Sequence, residues 1–289
     1  MAVYERTYRR YTGPLTPSWS RFLILPRYAY REVFKSRMFL SFFVLCFAVP
    51  VVGLVLLYLR HNVSALAVFQ VSQEQIQQAL PVNAEFFLRG LHAQGMLCFL
   101  LTLIVAPALV APDLRNNGLP LYLSRPFSRT EYVLGKMTVL VALLSAITWI
   151  PGLLLFAFQS YLEGWGWFSK NASIAVSVFL GSWLWILVLS LVGLAISAWV
   201  KWKPIARVAL LAIFFVLSGF AEAFNAALNT WWGSLLSVWR LIHVIWDSLF
   251  GQPIEGGVPV WSAWVMIAAF CLLCLGLLSK RLRAYEVVR

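Results

Sequence analysis

Five stretches of the chain, residues 38–59, 90–112, 137–162, 171–200 and 256–279, run on without a single Asp, Glu, Lys or Arg. Each is longer than the ~20 residues that a helix needs to cross a hydrocarbon core ~30 Å thick. A helix that is apolar all round has no polar face to turn to water, so lipid is the solvent that suits it. A sixth run, residues 208–221, is shorter. Ile205 and residues 223–228 lengthen it enough to cross, with Arg207 snorkelling to one interface and Glu222 near the other. Composition agrees, since 61% of residues are hydrophobic and 12% charged, against ~25% charged in a soluble domain. The expected fold class is all-α, a polytopic membrane protein with six transmembrane helices.

The chain carries 23 Lys and Arg against 11 Asp and Glu, a formal charge of +12. In a soluble protein that would suggest nucleic acid; here position decides. With the N-terminus inside, segments 1–37, 113–136, 201–207 and 280–289 hold 8, 4, 3 and 4 basic residues, and the outer side keeps only Arg60, Arg89, Lys170 and Arg240. The positive-inside rule therefore predicts both termini in the cytoplasm. The acidic residues split almost evenly, so the charge reads as an inner-leaflet signature and no nucleic-acid partner is expected. Trp165, Trp167, Trp231, Trp232, Trp239, Trp246, Trp261 and Trp264 are expected to belt the outer interface, with Trp199 and Trp202 at the inner one. The first apolar run begins behind a long basic stretch, which argues against a cleavable signal peptide. Cys46, Cys98, Cys271 and Cys274 all fall in apolar surroundings, where a thiol behaves as a small hydrophobe, and neither a disulfide framework nor a metal site is expected.

Three regions follow: a cytoplasmic N-terminus over residues 1–37, a six-helix transmembrane domain over 38–279, and a cytoplasmic tail over 280–289. Within residues 18–37, Tyr28, Val33 and Phe34 alternate after Pro26 with Arg27, Arg31, Glu32, Lys35 and Arg37, the pattern of an interfacial helix lying on anionic lipid headgroups. The outer loop 60–89 contains a capping box, Ser72 to Gln75, that would open a short polar helix ending near Pro81. Glycosylation sequons at Asn62 and Asn171 are three-residue matches of little weight. An outer amphipathic segment, 222–257, precedes the last span, and in it Leu235, Trp239, Ile242, Trp246 and Leu249 recur at helical spacing. It should lie at the outer interface or re-enter the membrane. Its Arg240, His243 and Asp247 share one face at i, i+3 and i+7, which reads as a solvated face, with an outer gate or proton site as the sharper alternative. Gly193 and Ser197 form a small-xxx-small pair suited to close helix packing.

The segment between the second and third spans, residues 113–136, is punctuated differently. Pro126 cannot continue a helix and disfavours a helical Arg125, so a short element with Leu119, Leu121, Tyr122 and Leu123 must stop there. Ser128 and Glu131 then make a second capping box that opens a helix running through Gly135 and Lys136 into the third span. Two helical pieces about a rigid corner, with apolar residues that have no lipid to cross, make a lever at the cytoplasmic surface.

This loop resembles the signature of ABC-2 type ABC-transporter permeases: an acidic residue and a Gly-Thr-Leu after the second span, then Leu-Ser-x-Pro-x-Ser-Arg-x-x-x-x-x-Gly-Lys. Asp113 takes the acidic position, Leu119 the leucine, and Leu123, Ser124, Pro126, Ser128, Arg129, Gly135 and Lys136 the remainder. Asn117-Gly118 stands where the family usually has Gly-Thr, and Pro120 where it often has Glu. The likeness extends along the whole chain, from the basic interfacial helix to the tail at Arg283 to Val288. It implies a transmembrane subunit of a bacterial inner-membrane exporter, assembled with a second permease copy or a related one and with separate ATPase subunits. The loop would be the coupling helix seated in the ATPase, with the interfacial helix beside it. ATP and Mg would be bound by the partner, because no Gly-x-x-x-x-Gly-Lys-Ser/Thr loop occurs in this chain. Leu217-Ser-Gly219 is a chance echo of the ABC signature inside the fifth span.

Three other classes compete. An ion-coupled carrier would keep ionisable residues at mid-membrane, and the span interiors hold none beyond interface positions. A membrane enzyme would need a clustered catalytic constellation, whereas His61, His92 and His243 look scattered on the outer side and no catalytic residue is assigned. A non-transporting scaffold or assembly factor fits the composition but leaves the lever without a task. The substrate is not legible.

Overall fold

Prolines decide where the long apolar runs bend. A proline has no amide hydrogen, and its ring collides with the carbonyl four residues earlier. In the computed structural model, which describes residues 24–62, 81–116, 129–200, 202–254 and 256–281, the first run is not one helix. It is α2 (Arg37–Leu45) and α3 (Ala48–His61), separated at Cys46 and Phe47, with Pro50 in the first turn of α3. The third run divides in the same way into α6 (Arg129–Ile147) and α7 (Trp149–Glu163), jointed at Thr148 just ahead of Pro151. The crossing segments expected over 38–59 and 137–162 are thus present, each as two helical pieces.

The remaining helices are α1 (Ile24–Val33), α4 (Ala84–Leu109), α5 (Ala111–Arg115), α8 (Trp165–Trp199), α9 (Lys203–Leu211), α10 (Leu217–Leu228), α11 (Val238–Leu249) and α12 (Val260–Arg281), and there is no strand among the described residues. A π-helical turn, Ala212–Val216, joins α9 to α10. Among the described residues six segments are long and apolar enough to cross a bilayer: Arg37–His61, Ala84–Asp113, Thr130–Glu163, Trp165–Trp199, Lys203–Leu228 and Val260–Arg281. The second begins earlier than expected, inside the outer loop 60–89, because Asn83 caps it by accepting from the Phe86 amide at 3.2 Å. The capping box at Ser72 lies outside the described residues.

The central helix is α8, which packs on α4, α6, α7, α11 and α12. Gly193 lets α4 pack close, since a Cβ there would stand 2.7 Å from that of Ala106. One turn on, the Ser197 hydroxyl accepts from the Ala111 amide at 3.0 Å, so the small-xxx-small pair is a packing device.

The amphipathic segment before the last span turns back into the bundle. After α10 the chain reverses at Asn229, whose backbone is left-handed (φ 49°). The 3-10 turn Trp232–Leu236 then runs back beside α10. Asn225 holds it, accepting from the Gly233 amide at 2.7 Å and donating to Ser234 Oγ at 2.8 Å. Only glycine fits at 233, because a Cβ would lie 2.5 Å from the Ala221 carbonyl. The Ser218 and Ser237 hydroxyls meet at 2.6 Å, and Ser237 caps α11, which climbs against α8 and α12 without crossing.

Trp246 on α11 is fully buried and belongs to no belt. Gly95 and Gly181 make room for its indole, since a Cβ at either would come within 2.6 or 3.0 Å of the ring. Its Nε1 donates to the Gly181 carbonyl at 3.0 Å, and the neighbouring Trp185 donates to the Gly95 carbonyl at 2.9 Å. Trp239 is likewise internal, half-buried against Trp185 and Phe215. By contrast Trp165, Trp232, Trp261 and Trp264 are exposed, as are Trp199 and Trp202 at the other end.

Candidate functional site at the basic end of the bundle

Where α4 ends, Pro112 opens the short helix α5 and sets Asp113 in its first turn. Across from it, Tyr132 and Lys136 sit one turn apart on α6 and so share a face. All three meet. Lys136 Nζ lies 2.9 Å from Asp113 Oδ2, and the Tyr132 hydroxyl donates to the same oxygen at 2.7 Å. Lys136 also stands over the Tyr132 ring at 5.7 Å. Tyr132 and Lys136 are 2% and 8% exposed, so this is a nearly dry charge pair with its carboxylate further satisfied by a phenol. It ties the last described turn before the segment 117–128 to the helix that follows it, closing the base of the loop.

Two more elements are fastened here. Helix α1 lies along α6, burying Leu25, Pro26 and Ala29, and the Tyr30 hydroxyl donates to the Thr138 carbonyl at 3.3 Å. Arg27, Arg31 and Glu32 face outward with Tyr28. Helix α1 is shorter than the sequence suggested: Lys35 falls in the turn after it and Arg37 opens α2, which Ser36 caps by accepting from the Phe39 amide at 3.3 Å. The α8 and α12 ends are joined by Trp199, whose Nε1 donates to the Leu277 carbonyl at 3.2 Å while Arg281 stacks on its ring. Arg115 stacks on Trp202 at 5.8 Å.

Of the residues singled out in the loop, Asp113 and Lys136 are brought together, Gly135 lies buried beside them on α6, and Arg129 is the first residue of that helix. Leu119, Leu123, Ser124, Pro126 and Ser128 lie outside the described residues. Sequence reasoning missed Tyr132 and Tyr30. The i, i+4 spacing of Tyr132 to Lys136 was the signal for the first.

No family model matches the chain, and no curated protein does.

At the opposite end the histidines are not scattered. His92 on α4 stacks on His243 of α11 with ring centroids 4.3 Å apart and planes within 16°. Asp247 Oδ1 is 4.0 Å from His92 Nε2. The Arg240 guanidinium covers Gly256, where a Cβ would sit 2.7 Å from its Nη2. The trio Arg240, His243 and Asp247 is thus half-buried, with His243 and Asp247 against His92 of α4 and Arg240 over Gly256, which corrects the solvated-face reading. Burial, then His92 and the Arg240 charge, push the His243 imidazole down to about 4. His61 stands apart, bonded to the Leu57 carbonyl and to Glu163. Among the described residues no group of three or more His, Cys, Asp or Glu side chains could hold a metal.

Proposed function

We propose that this chain is the transmembrane permease subunit of an ATP-binding cassette exporter of the ABC-2 type. It would move its substrate across a bacterial inner membrane on energy from a separate ATPase subunit, with the loop end and both termini in the cytoplasm. The observation that carries this reading is the Asp113, Tyr132 and Lys136 clamp. A loop pinned at its base by a largely buried ion pair transmits a push to α4 and α6 as a unit, whereas an unpinned loop would absorb it. Helix α1, fastened to α6 through Tyr30, shares in the same push. The motif residues at Asp113, Gly135 and Lys136 therefore have mechanical work to do in this arrangement. The chain itself would be non-catalytic, with ATP and Mg held by the partner and a second permease copy completing the path.

Affinity purification from the native membrane tests the partnership: an ABC ATPase should co-purify, and a solitary monomer overturns the proposal. In the reconstituted complex, Pro126→Ala or Arg129→Ala should leave insertion intact while uncoupling ATP hydrolysis from transport. Unchanged coupled activity would remove the lever from the mechanism, and assembly without any ATPase would return the chain to the class of scaffolds.

A further inference from the structure

At the end of the bundle away from Asp113, a cavity of about 580 Å³ lies between α3, α4, α7 and α8. That is inside the ~300–1,000 Å³ range of pockets that hold a whole small molecule. On α4 it reaches from Asn83 to Gln94, a rise of ~16 Å, or about one leaflet of a ~30 Å core. Val52 on α3 and Ala93 on α4 both line it and are exposed, so the cavity is open within two of the crossing segments rather than sealed.

Its polarity is confined to one end. Asn83, Glu85 and Arg89 stand at the rim, where the two charged residues pair with each other and leave no net charge. Deeper in, the walls are Phe87, Leu91, Leu155 and Val178. The polar side chains of that deep lining are turned to the protein. Thr148 donates to the Leu144 carbonyl and Gln94 to the Cys46 carbonyl, while Gln94 Oε1 and Ser182 Oγ are shut off from the cavity space. Water held there needs two to four polar partners, and these side chains offer it none. An ionised group would find no opposite charge at this depth and would lose its hydration. Left empty, the walls forfeit their dispersion contacts. Hydrocarbon alone satisfies them, and at this depth of a bilayer hydrocarbon means acyl chains.

We propose that this cavity holds one acyl chain of a bilayer lipid, entering from the leaflet at this end, with the headgroup left at the rim and not selected by its charge. The site rests on the crossing segments alone and stands whether or not an ATPase drives the chain. It lies within one chain, so occupancy needs no second copy.

The test uses the purified chain in phosphatidylcholine nanodiscs, with a phosphatidylcholine probe that carries a diazirine midway along one acyl chain and residue-level mapping of the crosslinks. Labelling should appear at Phe87, Leu91 and Val178, cavity-lining residues only 5%, 6% and 4% exposed, as well as at the exposed Leu272 and Leu273 of α12 that any surrounding lipid meets. Gly90→Leu and Ala93→Leu are the steric arms. A Cβ at Gly90 meets no atom within 4 Å and Ala93 is exposed on the same lining, so either leucine enters the cavity without a clash. Each should remove most of the labelling at the three lining residues and preserve both the labelling of α12 and the melting temperature. A phosphatidylglycerol probe should label the cavity as fully as the phosphatidylcholine probe. Labelling confined to α12 and other exposed faces overturns the proposal, and so does full labelling of the cavity in both folded leucine variants. A several-fold preference for either headgroup would place the selection in the head rather than the chain, and overturns it as well.

Discussion

The side chain of Gln94 donates to the backbone carbonyl of Cys46 at 3.0 Å, across the gap between α4 and the α2/α3 joint. That carbonyl is the one whose helical donor would have been residue 50, and residue 50 is a proline. The glutamine of one helix thus completes the hydrogen bonding that the proline of another leaves open, which is how a break in a span is tolerated away from water.

Replacing Gln94 by Leu should cost about 1–3 kcal/mol, the penalty for a buried acceptor left unmet. Pro50→Ala restores an amide at the right place, so the double variant should lose less than half of what Gln94→Leu loses alone. Unfolding in detergent, read as a double-mutant cycle, measures the coupling, and additive losses would disprove it.

Gly95→Ala drives a methyl group to 2.6 Å from the Trp246 ring. Overpacking of this kind costs about 1–3 kcal/mol. Trp246→Leu should relieve it, so the pair should be more stable than Gly95→Ala by itself. Near-ultraviolet dichroism would report the loss of indole packing in the single variant.

Asp113→Asn or Lys136→Met each strands one charge of a largely desolvated pair. With both side chains retaining some exposure, the loss should fall at about 1–3 kcal/mol, below that of a fully buried pair. The double variant should recover much of it. Tyr132→Phe, which keeps the ring under Lys136, should cost about 1 kcal/mol. In the assembled transporter proposed above, all three single variants should lower ATP-coupled transport more than they lower chain abundance.

Acid should destabilise the His243 face. Its imidazole is held down at about 4 in the fold, against ~6.5 for a free histidine. The unfolded chain therefore takes up a proton first as pH falls. The stability this position contributes is complete above ~6.5 and is lost on the way down to the folded value. His92 from α4 and Arg240 from its own helix act on it, and Asp247 lies beside His92. Between pH 7.5 and 5.0 the melting temperature should drop by several degrees, and by clearly less in His243→Phe. An equal drop in both would assign the effect elsewhere.

How much of this was legible follows the reach of each signal. The crossing segments were, because length without charge is a local property that lipid selects for directly. The joints at Pro50 and Pro151 were printed in the sequence yet read through, since a run apolar on every face has no periodicity for a break to interrupt. Trp246 is expected in a belt because its amphipathic helix, between the fifth and sixth spans, reads as interfacial. Its true position depends on Gly95 and Gly181, two absent side chains on two other helices. His92 and His243 looked unrelated for the same reason: helical spacing speaks for one helix at a time. Asp113 and Lys136 were each singled out through a motif, but that they touch, with Tyr132 between them, is a tertiary fact.

The two indoles that donate to the Gly95 and Gly181 carbonyls bolt α4, α8 and α11 into one block. Helices α3 and α7, by contrast, each hang from a proline joint, and they lean on each other. Those joints redirect the two helices without detaching them, since α7 stays packed along α8 and α3 against α4.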